Sequence, residues 1–192
     1  MRRTIVSELT GLRVAVLATD GFEEPELMEP VKALKQAGAR VTIISPNRAE
    51  IQGVHNDLEK TLKVKVDRTL GDVSADEYDA VMLPGGAVNA DRMRTVPEVQ
   101  AFLRAMQDAG KPFAAICHAP WELVSAGLVA GRTLTGYHTI RDDILNAGGI
   151  WKDREVVADN NWVTSRQPSD IPAFNKAMIE LFSHARQPAR AT

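Results

Sequence analysis

Residues 111 to 127 read KPFAAICHAPWELVSAG. Residues 112 to 117, PFAAIC, form a short apolar run with no polar break, which is the pattern of a strand covered on both faces. A short helix to about Ala126 follows directly, so a buried strand enters a helix at Cys117-His118. That junction belongs to alternating α/β architecture, and it holds the only cysteine of the chain.

The same grammar extends in both directions. Upstream, LRVAVLA (12–18), ARVTIIS (39–45) and YDAVMLPGG (78–86) are three more buried strands. Between the first two lies PELMEPVKALKQAG (25–38), with Leu27, Val31 and Leu34 on one helical face and Gly38 as the stop. Pro25 suits a first turn, whereas the ring of Pro30 predicts a bend. LKVKV (62–66) alternates strictly and predicts a half-exposed strand, at an edge or in an excursion from the main sheet. A helix from Pro97 to Ala109 turns Val99, Phe102, Leu103 and Met106 inward and closes at Gly110.

Beyond Gly127 the strands shorten to RTLTG (132–136) and REVVADNNWVTSR (154–166), the latter folding at Asn160-Asn161 as a hairpin. A last helix, from about Asp170 to His184, docks Phe174, Met178, Ile179 and Leu181, and RQPARAT (186–192) is a loose tail. The expectation is one α/β domain, with its core at about 11–185 and a mostly parallel central sheet.

Composition narrows the function classes. The 192 residues are 44% hydrophobic and 25% charged, with a formal net charge of −2 and no basic cluster, which gives nucleic acid and anionic membranes no electrostatic purchase. A single cysteine allows no intramolecular disulfide and suits a reducing compartment. With no spanning segment or adequate leader in the sequence, the expected location is the cytoplasm. CxxC, HExxH and phosphate-loop spacings are all missing, so neither a metal nor a cofactor is expected.

In open parallel sheets ligands gather beyond the carboxyl ends of the strands. Three such ends here read TDGFEEPE, PGGAVNAD and CHAPWE, which brings Glu23, Gly85-Gly86 and Cys117-His118 into one crevice. Cys117 reads either as a buried structural thiol or as a nucleophile, activated as thiolate by the helix start and lifted from the sheet by a sharp turn. Gly85 and Gly86 either make a turn or, with the His118 amide, form an oxyanion hole. Glu23 either caps the following helix, the role that suits Glu24 and Glu26, or hydrogen-bonds the sulfur as a protonated acid. His118 is a candidate base. His55 and His184 read as structural.

DGFEEPEL, EYDAVMLPGG, GKPFAAICHAPWELVSAGLVAGRTLTGY, DDILNAGG and VVADNNWVTSRQPSD, in this order, resemble the DJ-1/PfpI superfamily, most closely its PfpI branch of intracellular cysteine proteases and stress proteins. The resemblance implies a flavodoxin-like three-layer sandwich, shared with class I glutamine amidotransferases. It makes Cys117 the elbow nucleophile, Glu23 its hydrogen-bonding carboxyl, and Gly85, Gly86 and the His118 amide the oxyanion hole. It also implies a homodimer or larger ring in which a neighbouring subunit supplies a triad acid for His118. That acid's position is Ala90 here, and Asp91 is the next residue. Where the family tends to have Tyr-Pro, this chain has Tyr137-His138, so both join the candidates. The late His-x-Glu pair of the amidotransferases is missing from SHARQ.

Three functions follow. One is a PfpI-type thiol hydrolase or peptidase. Another is a glyoxalase or deglycase acting on reactive aldehydes or glycation adducts, which needs an acid–base group near Cys117 rather than a triad. The third is a non-catalytic redox sensor working through oxidation of Cys117. The loss of the triad acid favours a stress-related small-molecule hydrolase or glyoxalase over a peptidase.

Overall fold

A computed structural model describes residues 8–46 and 49–185. In chain order its elements are β1 (Arg13–Leu17), β2 (Phe22–Glu23), α1 (Glu24–Gln36), β3 (Arg40–Ser45), β4 (Glu50–His55), β5 (Glu59–Lys65), β6 (Arg68–Thr69) and β7 (Ala80–Leu83). There follow α2 (Ala87–Met93), α3 (Pro97–Asp108), β8 (Phe113–Ile116), α4 (Pro120–Ser125) and β9 (Thr133–Leu134). The chain then forms α5 (Arg141–Asn146), β10 (Ile150–Trp151), β11 (Val156–Asp159), β12 (Trp162–Ser165) and α6 (Ile171–His184).

The apolar runs pair as a sheet in the order β11-β12-β8-β7-β1-β3-β6. Every neighbouring pair is parallel except the β11–β12 hairpin, whose turn residue Asn160 sits at φ 53°. Side-chain alternation along the strands then divides the core in two. Val14, Val16, Met82, Ala114 and Ile116 pack with Leu27 and Leu34 of α1 and with Phe174 and Phe182 of α6. On the opposite face Ala15, Leu17, Val81, Leu83 and Ala115 pack with Phe102 and Leu103 of α3 and Leu123 of α4. A strand with both faces covered has no polar side to show, which is why these runs are uninterrupted. The result is the three-layer, mostly parallel α/β sandwich that the sequence implied.

Three details depart from or complete the sequence reading. The alternating LKVKV run falls within β5 and at its end, in a separate sheet of order β2-β4-β5, the excursion that its half-polar pattern required. RTLTG supplies β9, which pairs in parallel with β10, a two-residue strand too short to mark itself in sequence. Helix α1 runs unbroken through Pro30, which forgoes only the bond to the Glu26 carbonyl one turn back. The tail RQPARAT lies outside the described residues. Among those residues no helix is long and apolar enough to cross a membrane.

Register positions the chemistry. Leu83 of β7 lies beside Ala115 of β8, so two residues further along, beyond both strands, Gly85 comes alongside Cys117. On its other side β7 is flanked by β1, whose outgoing loop leads through β2 into α1.

Candidate active site

Cys117 is the turn between β8 and α4. Its φ is 63°, the left-handed region that a side chain with a Cβ enters at a cost of about 1–3 kcal/mol. Both of its peptide groups are held: its N–H donates to Ser165 O at 3.1 Å and its carbonyl accepts from Tyr137 N–H at 2.7 Å. This is the sharp elbow expected of the strand-to-helix junction, over-determined by the strand on one side and the β9–α5 loop on the other.

The thiol is 6% exposed and forms the floor of a cavity of about 410 Å³. That corrects the expectation of an open, ionised sulfur. Burial, followed by the nearby charge of Glu26, pushes the thiol well above the ordinary range, while the Gly86 amide acts in the opposite direction. The favourable helix start is overridden because loops fold over the turn and remove water from it.

The carboxyl against the sulfur is also a correction. It belongs to Glu26, not Glu23. Glu26 lies in the first turn of α1, in phase with the buried stripe Leu27, Pro30, Val31 and Leu34, and is fully buried. Both of its carboxyl oxygens lack a well-formed hydrogen bond, and they face Cys117 and the Gly85 amide. Burial holds Glu26 well above the usual carboxylate range, and the charges of Glu23 and Asp57 push the same way. Two such groups in contact do not both ionise, so the Cys117–Glu26 pair carries at most one negative charge.

Glu23 instead pins the β4–β5 turn. Its carboxylate accepts the amide protons of Asn56 at 3.0 Å and Asp57 at 3.2 Å and lies 3.4 Å from His55 Nδ1, so His55 is part of this support. Glu23 makes no side-chain cap for α1, although it does line the cavity.

Gly85 and Gly86 are required sterically. Gly86 has φ 94°, and a Cβ there would collide with the Gly21 carbonyl; one at Gly85 would collide with Glu26 Oε2 and lie 2.5 Å from Cys117 Cβ. The Gly86 amide points to the sulfur, whereas the Gly85 amide serves Glu26, so two of the three expected oxyanion donors divide between different groups.

His118 is buried, with Nδ1 3.2 Å from the Cys117 sulfur and Nε2 3.3 Å from Thr139 Oγ1. Burial lowers its pKa and keeps it neutral. The hydrogen-bond pattern fits a proton on Nε2 donated to Thr139, which leaves the Nδ1 lone pair facing the sulfur. Tyr137 lines the cavity and stacks on His118 at 4.8 Å. His138 is exposed, its ring tilted against Tyr137 with centroids 4.5 Å apart, and outside the cavity wall. Ala90 is buried in α2, and Asp91 lies on that helix's exposed side, away from the cavity. The far wall comes from residues the sequence did not mark: Asn56 and Asp57, both left-handed, with φ of 51° and 61°, and Gln167, Pro168 and Ser169.

The model for the DJ-1/PfpI family matches residues 12–181. The chain belongs to that family. As a DJ-1/PfpI protein it is 42% identical to "Deglycase PfpI" of Pyrococcus furiosus over 170 residues, which span 88% of this chain and 99% of that protein. It is 41% identical to "Putative cysteine protease YraA" of Bacillus subtilis over 170 residues, 88% of this chain and 97% of that protein. Among solved structures, Drosophila melanogaster DJ-1beta superposes with a TM-score of 0.81 at 27% identity, covering 92% of this chain and 96% of that one. The DJ-1/PfpI fold therefore accounts for both the sandwich and the elbow.

A second buried acid lies behind the elbow. Glu122 of α4 is fully buried with neither carboxyl oxygen hydrogen-bonded among the described residues, and burial alone pushes it well above its ordinary 4.5. A carboxyl whose folded pKa is raised leaves stability intact below the unfolded value and erodes it as pH climbs from 4.5 towards the folded value, by about 1.4 kcal/mol per pH unit. Glu122→Gln is therefore expected to raise Tm at neutral pH and leave it almost unchanged near pH 4, and calorimetry across that range checks this.

Proposed function

We propose that this chain is a cysteine-dependent glyoxalase or deglycase, converting 2-oxoaldehydes such as methylglyoxal, or the adducts they form, to 2-hydroxy acids. The observation that carries this reading is the fully buried Glu26 carboxyl, with no charged partner and no well-formed hydrogen bond, set against the Cys117 sulfur on the floor of a cavity. Such a group has no structural duty that a hydrophobic residue would not perform better. Its value is to accept and return protons beside a nucleophile.

The reaction follows from that arrangement. With one negative charge on the pair, the thiol gives its proton to Glu26 as sulfur attacks the aldehyde carbon. The Gly86 amide faces the reacting centre, and Glu26 returns the proton to the new oxyanion, giving a hemithioacetal. Glu26, again a carboxylate, removes the proton on that carbon and restores it at the neighbouring one, while the hydroxyl proton passes to the neighbouring oxygen, producing the isomeric 2-hydroxyacyl thioester. Water cleaves the thioester, with His118 Nδ1 as base, and the thiol is regenerated. One methylglyoxal and one water become one lactate.

Peptidase activity fits less well, because the position that the resemblance assigns to the triad acid is Ala90. The sensor reading is weakened by a thiol that burial keeps protonated. The purified chain is expected to form lactate from methylglyoxal and to leave a denatured protein substrate uncut. Peptide cleavage without lactate formation overturns this assignment in favour of the protease.

A further inference from the structure

The walls of the cavity are acidic. Glu23, Glu26 and Asp57 line it, and among the described residues no lysine or arginine does. Two of the hairpin's three lysines, Lys60 and Lys63, line a separate hollow with Asp20 and Arg92. The three carboxyls differ in how far their charge is answered. Glu26 shares at most one charge with Cys117, and Glu23 is met by two amides and His55. Asp57 uses Oδ1 to accept the Ala87 N–H at 2.7 Å and has no cation against it among the described residues. The left-handed backbone of Asn56 and Asp57 and the Glu23 contacts fix this carboxylate in place. Its field also reaches Cys117, Glu26 and His118.

We propose that the cavity over Cys117 selects its electrophile by charge, admitting neutral and cationic carbonyl compounds and rejecting anionic ones, with Asp57 setting the discrimination. The inference rests on the reading of Cys117 as a nucleophile. A fixed carboxylate in a partly desolvated wall repels an incoming anion far more than it would in water, and the repulsion is strongest before salt screens it. Methylglyoxal and carbonyl adducts of amines or guanidines would pass. Aldehydes bearing a carboxylate, such as glyoxylate, would be turned away.

The test needs no turnover. Methanethiosulfonates carrying either a trimethylammonium or a sulfonate group are attacked by a thiolate, forming a mixed disulfide and expelling methanesulfinate. With one cysteine in the chain, intact mass gives the rate at Cys117 directly. After each rate is divided by that for free cysteine, the cationic reagent is expected to outpace the anionic one by about tenfold or more at low salt. Asp57→Asn keeps the acceptor for Ala87 and tolerates the left-handed turn, and is expected to cut the ratio by about threefold or more. Glu59→Gln, on the same hairpin but outside the cavity wall, should leave it unchanged.

A normalised ratio near one, or a ratio that Asp57→Asn does not move, overturns the charge selection and leaves the nucleophile reading standing. Failure of both reagents to label Cys117 overturns both. Faster reaction of the anion reverses the proposal outright.

Discussion

Glu26→Gln is expected to lower kcat/KM for methylglyoxal by about 100- to 10,000-fold while making the resting sulfur easier to alkylate. The amide occupies the same space in the first turn of α1, yet it neither takes a proton from the thiol nor moves one between carbons. It also carries no charge. In the parent chain the thiol is raised first by burial and then by Glu26, so removing that charge lowers the thiol pKa. The iodoacetamide–pH profile of the variant should shift to lower pH as turnover collapses. A merely structural glutamate would move both quantities in the same direction. The parent's own activity should rise with pH along a limb lying above the ordinary carboxylate range, because burial delays the first ionisation of the pair.

Gly85→Ala should be nearly as damaging, for a steric reason. The added Cβ would collide with Glu26 Oε2, lie 2.5 Å from Cys117 Cβ and lie 2.9 Å from Ile116 O. The last is backbone in the centre of the sheet and has nowhere to retreat. Overpacking of this kind costs about 1–3 kcal/mol, and here the displaced atoms are those that react. Loss of turnover together with a lower Tm is expected from a kinetic assay and a thermal melt. Gly71→Ala makes the comparison, since nothing lies within 4 Å of the added carbon, and it should be silent in both.

The legible parts of this chain are those whose signal is local. Uninterrupted apolar runs mark β1, β3, β7 and β8 of the central sheet, a turn signal marks the β11–β12 hairpin, and the two-residue β6 carries no signal; an abrupt change of pattern at Cys117-His118 marks the elbow. The two-residue strands β9 and β10 have no room for a period, so only the first of them was noticed. The site was partly legible. Cys117, His118, Gly85 and Gly86 stand at strand ends, where topology alone brings them together. Glu26 does not stand out in the sequence because an acid in the first turn of a helix has an ordinary explanation. The clue available was its phase, on the same face as Leu27 and Val31, where a charge is out of place. Asn56-Asp57 and Gln167-Ser169 come from distant turns and carry no motif. The burial of the thiol could not be read locally either, because it is produced by those same loops folding over the turn.

The most direct measurement of the central claim is the mass of the chain itself during turnover. Methylglyoxal is mixed with enzyme, quenched within the first turnovers, and the protein is examined intact and by peptide mapping. The account predicts an adduct of one methylglyoxal equivalent on Cys117 that decays as lactate appears, with neither adduct nor lactate in Cys117→Ala. Lactate accumulating at an undiminished rate in Cys117→Ala would contradict it.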